Sequence, residues 1–220
     1  MMGFDFGILN LSNLFYVLKG LSWTLFLTFV SIALGLIVGS ILAFGEVYLP
    51  PPFSYVFRII GEVLRGIPLL LLFLILYFGF NLSMILSAIL GLGLRSASYQ
   101  GQIFRTSLEA ISIGQLYAGL SLGFKKFEVF KEILGPQSIR IMIPGWTNEF
   151  ITVLKDTSIA FVLGVLDLMT RAEFIARSVG KYLEIYIFIA LVYFVLVKIS
   201  MITLNNLYEK IRIPGLGEKR

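Results

Sequence analysis

With 220 residues, 58% of them hydrophobic and 14% charged, the chain is more apolar than a soluble core of this length requires, and it reads as an all-α polytopic membrane protein. It has no cysteine and no histidine, which excludes disulfides, thiolate or imidazole catalysis and the common zinc sites, and no cofactor or metal is expected. The net charge of +5 comes from basic residues scattered among polar segments rather than striped along one face, so it speaks of membrane orientation and not of nucleic acid.

Residues 1–20 are apolar but lack a basic start and an A-x-A-like cleavage site, so they read as an amphipathic lead-in at the outer surface and not as a signal peptide. A first span is expected over residues 21–44, long enough at about 1.5 Å per residue to cross a hydrocarbon core of about 30 Å. Its small-residue stripe of Gly35, Gly39 and Ser40 marks close helix packing. Pro50, Pro51 and Pro52 end it, because successive prolines lack the donor and bar the preceding residue from helical geometry. A second span, 53–78, is interrupted at Arg65, Gly66 and Pro68, and Glu62 and Arg65 stand three apart, a spacing at which they could pair.

After a tight outer turn at 79–83, a third span is expected over 84–108. Its second half, R-S-A-S-Y-Q-G-Q-I-F-R at 95–105, is unusually polar for mid-membrane. Such side chains are costly there unless they face a cavity or each other, so Arg95, Tyr99 and Gln102 are candidate substrate ligands; inter-helix hydrogen bonding by Ser96, Ser98 and Gln102 is the competing reading.

Residues 114–144, GQLYAGLSLGFKKFEVFKEILGPQSIRIMIP, form a polar island. A short helix stops at Gly123, since only glycine enters the left-handed region without a side-chain penalty, and a second polar helix follows a sharp turn. Ala118 and Gly119 let the first helix bring its backbone close to a partner, with Leu116, Leu120 and Leu122 supplying apolar contact; an ordinary loop between membrane helices is the alternative.

Trp146 sits at an interface-like position, and a fourth span is expected over 148–164. Lys155 and Asp156 lie inside it, where an isolated charge costs on the order of 3 kcal/mol. They require a cavity, a salt bridge or both, so they are candidate substrate ligands or a structural ion pair. Residues 165–182 carry mixed charge and read as an outer loop with a helical stretch. A last span, 183–207, leads to a short basic tail. The bias of Lys125, Lys126, Lys131, Arg140, Lys210, Arg212, Lys219 and Arg220 places the 114–144 loop and the carboxyl end in the cytoplasm and the amino end outside.

Four of these motifs together resemble the membrane subunits of ATP-binding-cassette importers, specifically the polar amino acid permease family. The family's loop pattern is met by Gly114, Gln115, Ala118, Ser121, Leu122, Gly123, Ile133, Pro136, Gln137, Arg140 and Pro144, with Tyr117, Gly119 and Ser138 as departures from its usual Glu, Ala and Ala. E-V-L-R-G-I-P-L-L at 62–70, the polar run with Ser96, Tyr99 and Arg105, and N-E-F-I-T-V-L-K-D-T-S-I at 148–159 extend the resemblance along nearly the whole chain. In the polar run, Arg95 and Gln102 replace the family's Asn and Glu.

The resemblance implies a single permease domain, 1–220, with five transmembrane helices of the type I importer kind and a short cytoplasmic coupling helix. It implies ATPase-coupling residues Gly114, Gln115, Ala118, Gly119, Leu120, Gly123 and Pro136, and substrate-binding residues Arg95, Tyr99, Gln102, Lys155 and Asp156. It also implies ABC ATPase subunits, a second permease subunit, an extracytoplasmic substrate-binding protein and an amino acid substrate as partners in the cytoplasmic (inner) membrane. The chain has no G-x-x-x-x-G-K-[ST], so ATP would be hydrolysed by another polypeptide. A permease for another small solute, a passive channel or a scaffold would also explain the hydrophobic segments. An intramembrane enzyme would have only Asp156 or Lys155 to work with.

Overall fold

A computed structural model describes residues 11–211; the start of the amino-terminal lead-in and the tail residues Arg212, Lys219 and Arg220 lie outside the described residues. All regular elements among the described residues are helical: α1 (Leu11–Leu18), α2 (Leu21–Tyr48), α3 (Phe53–Gly66), α4 (Leu69–Leu74) with a π-helical continuation Ile75–Gly79, α5 (Met84–Glu109), α6 (Ile113–Ser121), α7 (Lys126–Val129), a π-helical turn Phe130–Leu134, α8 (Gly135–Asp156), a 3-10 segment Thr157–Leu163, α9 (Leu168–Val179) and α10 (Tyr182–Ile211).

The expected small-residue stripe is what joins α2 to α5. A Cβ on Gly39 would stand 2.6 Å from the Ala97 carbonyl oxygen, so the two backbones touch, as small residues allow between membrane helices. Ser31 Oγ donates to the Ile89 carbonyl (3.3 Å) and Gln100 Nε2 to the Ile32 carbonyl (3.1 Å), and farther along Arg105 pairs with Glu46. Positions rise together along this seam, so the helices run parallel. α8 runs against them: Trp146 Nε1 donates to Gln100 Oε1 (3.0 Å), while Asp156, ten residues on, meets Arg95. Trp146 is thus half-buried and hydrogen-bonded to α5.

Pro68 bars Ile67 from helical geometry, and Ile67 is extended (φ −80°, ψ 123°), so α3 and α4 meet at a bend of 100°. α4 then tucks Leu69 and Phe73 into a core shared with Leu27, Leu92, Phe150 and Val153. A second core, Val17, Leu168, Ala172, Ala176, Ile185 and Ile189, gathers α1, α9 and the start of α10 around the beginning of α2. The far end of α2 meets the polar region instead, where Tyr48 lies edge-on to Phe130 (ring centroids 5.4 Å apart). Hence α9 and the α6–α7 region lie at opposite ends of the bundle.

The five-span expectation is corrected. Two helical stretches among the described residues, Leu11–Tyr48 and Tyr182–Ile211, are long and apolar enough to cross a membrane, and the bent pair Phe53–Gly66 and Leu69–Gly79 makes a third if taken as one span. The expected spans 84–108 and 148–164 fail because α5 carries Arg95, Arg105 and Glu109 among serines, glutamines and glycines, and the stretch that ends α8 carries Glu149, Lys155 and Asp156. Arg95, Glu149 and Asp156 are turned into the protein, which removes the need for apolarity on those faces, while Glu109 and Lys155 are exposed. Helix α8 is also longer than expected, since it begins at Gly135 and passes through Pro144, where the sequence suggested the end of a loop. Pro144 has no N–H to offer the Arg140 carbonyl one turn back.

Candidate functional site

The break at Pro68 opens a cavity of about 300 Å³. Arg65, Gly66, Ile67 and Pro68 line it from the α3–α4 bend, Arg95 and Tyr99 from α5, Asp156 from the end of α8 and Ile159 from the 3-10 segment. Arg95 and Tyr99 are four apart and so share a helix face, and the Arg95 guanidinium lies 5.3 Å from the Tyr99 ring centroid. Arg95 Nη1 donates to Asp156 Oδ2, with each side chain only about one-fifth exposed (23% and 20%). Arg65 Nη1 donates to the Ser98 carbonyl (2.8 Å). That bond fixes the guanidinium at the cavity wall with donors to spare.

Three of the five expected substrate residues therefore come together: Arg95, Tyr99 and Asp156. Gln102 and Lys155 do not, since both are exposed and neither lines the cavity. The expected Glu62–Arg65 pair is also replaced. Glu62 meets Arg58 one turn earlier (3.1 Å), because Arg65 reaches across to α5.

Sequence reasoning missed Glu149 as a site residue. It is 5% exposed, faces Ser96, and interacts electrostatically with both Arg95 and Asp156, while its Oε1 has no hydrogen-bond partner among the described residues. The signal was present in the spacing: Glu149 and Asp156 are seven apart, two turns along one face of α8, whereas Lys155 is rotated away from that face.

The second region is the turn around α6. Ser112 caps the helix, its Oγ accepting from the Gly114 N–H (3.3 Å). At the other end Gly123 takes φ +87°, its N–H donates to the Leu120 carbonyl (3.0 Å), and the Phe124 N–H donates to the Gly119 carbonyl (3.2 Å). These two bonds make a Schellman motif, which glycine permits at no steric cost. Gln115 and Gln137 exchange amide hydrogen bonds, Gln115 Nε2 donating at 3.1 Å, and so tie α6 to the first turns of α8 near Pro136. Gly119 is buried so closely that a Cβ there would stand 2.8 Å from Val129 Cγ2.

Gly114 and Ala118 are exposed, Leu120 is half-buried, and Ile113, Tyr117 and Leu122 present bare apolar surface. Ile113, Tyr117 and Leu122 thus leave large apolar side chains exposed on and beside α6. At the opposite end, Asp167 caps α9 by accepting from the Thr170 N–H (2.8 Å), and burial pushes its carboxyl up to about 6 against the lowering effect of the Thr170 hydrogen bonds. Glu173 is held below its usual range by hydrogen bonds from Tyr186 and Arg177.

A family model described as binding-protein-dependent transport system inner membrane component matches residues 31–213. The chain is 35% identical over 202 residues to the probable amino-acid permease protein YxeN of Bacillus subtilis (strain 168), covering 88% of this chain and 90% of that one. It is 34% identical over 204 residues to the arginine transport system permease protein ArtQ of the same organism, covering 90% and 93%. Among solved structures, an amino acid ABC transporter crystallised with histidines superposes with a TM-score of 0.87 at 30% identity, covering 95% of this chain and 100% of that one. The MetNI methionine ABC transporter in an inward-facing conformation shares the fold, with a TM-score of 0.78 at 17% identity.

Proposed function

Because the chain belongs to the family of binding-protein-dependent transport system inner membrane components, and is thus the multi-pass permease subunit of an ABC importer and not its ATPase, we propose that it conducts a polar amino acid through the cavity at the α3–α4 bend. One observation carries the reading: a cavity of about 300 Å³, at the lower end of small-ligand pockets, holds a carboxylate and guanidinium groups side by side. Every amino acid brings an α-ammonium and an α-carboxylate, so it can exchange the single Arg95–Asp156 pair for two pairs of its own. In surroundings shielded from water such pairs are much stronger than in bulk. The amino acid permeases among the relatives support the same substrate class.

The α6 patch, with its rigid Gly123 end and its Gln115–Gln137 tie to α8, is the surface that takes a separate ATPase subunit. Movement of that subunit is carried along α8 to Asp156 at its far end. A second permease subunit, identical or homologous, encloses the route with this one, and an extracytoplasmic binding protein delivers the substrate; alternating access follows from the two arrangements of the pair. Lys125, Lys126 and Lys131 around α7 and Lys210 near the end of α10 support an orientation with those ends in the cytoplasm and the α9 end outside.

The test is uptake of labelled amino acids into proteoliposomes carrying this chain with its ATPase and binding protein. Accumulation against a gradient is expected only with ATP inside the compartment of the ATPase. Equilibration without ATP would mean a passive channel, and no uptake of any amino acid would remove the substrate class.

A further inference from the structure

The charge inventory of the cavity points beyond a general amino acid site. Two guanidinium groups line it, Arg65 and Arg95, against one carboxylate, Asp156. The second nearby carboxylate, Glu149, stands behind the wall and lies in the electrostatic reach of Arg95 as well. Arg95 thus acts electrostatically on both acids and pairs directly with one of them. A zwitterion inserted here takes Asp156 with its ammonium and Arg65 with its carboxylate, and what remains on the wall is the Arg95 guanidinium, with no lining acid left to meet a side-chain cation. An ammonium or guanidinium side chain would be placed beside like charge, which opposes its binding where water is excluded. An anionic or amide side chain would meet Arg95, while the Arg65 fork, only partly used by the Ser98 carbonyl, holds the α-carboxylate.

We propose that Arg95 is the specificity-determining residue of the cavity, an internal counter-cation that closes it to amino acids with cationic side chains and leaves it to those with acidic or amide side chains. The proposal rests on the reading that this cavity is the substrate site. Removing the Arg95 charge would leave Asp156 and Glu149 uncompensated, which is the arrangement a cationic side chain requires.

The experiment is equilibrium binding of labelled glutamate, glutamine and arginine to the assembled importer in lipid nanodiscs, without binding protein, so that the permease alone selects. The wild type is expected to bind glutamate and glutamine at least about tenfold more tightly than arginine. Arg95→Gln should raise arginine binding by about tenfold and lower glutamate binding, and Arg95→Asn should do the same as a second neutral variant, while Arg95→Lys should keep the wild-type order. Wild-type binding of arginine as tight as that of glutamate overturns the proposal whatever the variants do. An unchanged order in both neutral variants, with Asp156→Asn weakening every probe, overturns it but leaves the cavity as the substrate site. Binding untouched by changes at both Arg95 and Asp156 removes the site and the proposal together.

Discussion

Replacing Gly123 by residues with a side chain perturbs the end of α6 in a way whose size follows from the backbone alone. Nothing lies within 4 Å of a Cβ added at this position, so no clash with the rest of the protein contributes. The whole cost is that of holding an L-residue at φ +87°, about 1–2 kcal/mol for most residues, less for Asn and more for a β-branched one. A cost of that size shifts a local equilibrium by about 5- to 30-fold, enough to open the Schellman bonds from Gly123 and Phe124 and let α6 swing on its Gln115–Gln137 tie. Substrate-stimulated ATPase activity of the assembled importer is therefore expected to fall in the order glycine, Asn, Ala, Val. Gly123→Val should remain in the membrane with stimulation near the basal level. Full stimulation in Gly123→Val, or no difference between Gly123→Asn and Gly123→Val, would refute the role of this turn as a rigid transmission point.

The absence of cysteine allows clean topology probes: Lys126→Cys should label from the cytoplasmic side and Ser178→Cys, on exposed α9 surface, from outside, and reversed labelling would overturn the orientation. Gly39→Ala places a Cβ 2.6 Å from the Ala97 carbonyl and should destabilise the α2–α5 seam by about 1–3 kcal/mol, read as a lower melting temperature of the purified complex; an unchanged value would mean the helices part without cost. Asp167 keeps its proton in the fold up to about 6, above the unfolded value of about 4, so its contribution to stability is full below that value and lost as pH rises through about 6. Melting temperature should accordingly fall between about pH 4 and pH 6, and Asp167→Asn should flatten that part of the profile; an equal fall in the variant would assign it to another group.

Features set by neighbouring residues were legible in the sequence. Gly123 ends α6, Pro68 breaks the second helix, and Gly35 and Gly39 receive α5, because a positive φ, a missing N–H and a missing side chain are local properties. Partners far along the chain were not legible. Asp156 meets Arg95, the alternative to its own neighbour Lys155, and Arg65 turns from Glu62 to the Ser98 carbonyl, since both choices depend on how α5 packs. The burial of Glu149 depends on the same packing, although its two-turn spacing from Asp156 already placed the two on one face. The count of membrane-crossing helices failed for a related reason. Helices α5 and α8 turn Arg95 and Asp156 onto each other at the cavity and bury Glu149 behind them, which hydrophobic segment length does not reveal.

Uptake by the Asp156→Asn variant tests the central claim most directly. The substitution keeps the shape and part of the hydrogen bonding while removing the charge that faces both Arg95 and the cavity. If Asp156 receives the substrate ammonium, amino acid uptake in proteoliposomes falls by about tenfold or more while the complex assembles in normal yield, and adding Arg95→Gln does not bring uptake back. If Asp156 serves only as the partner of Arg95, assembly or thermal stability falls instead, because a guanidinium is left unpaired, and the double change restores both stability and full uptake. That restoration would contradict the account.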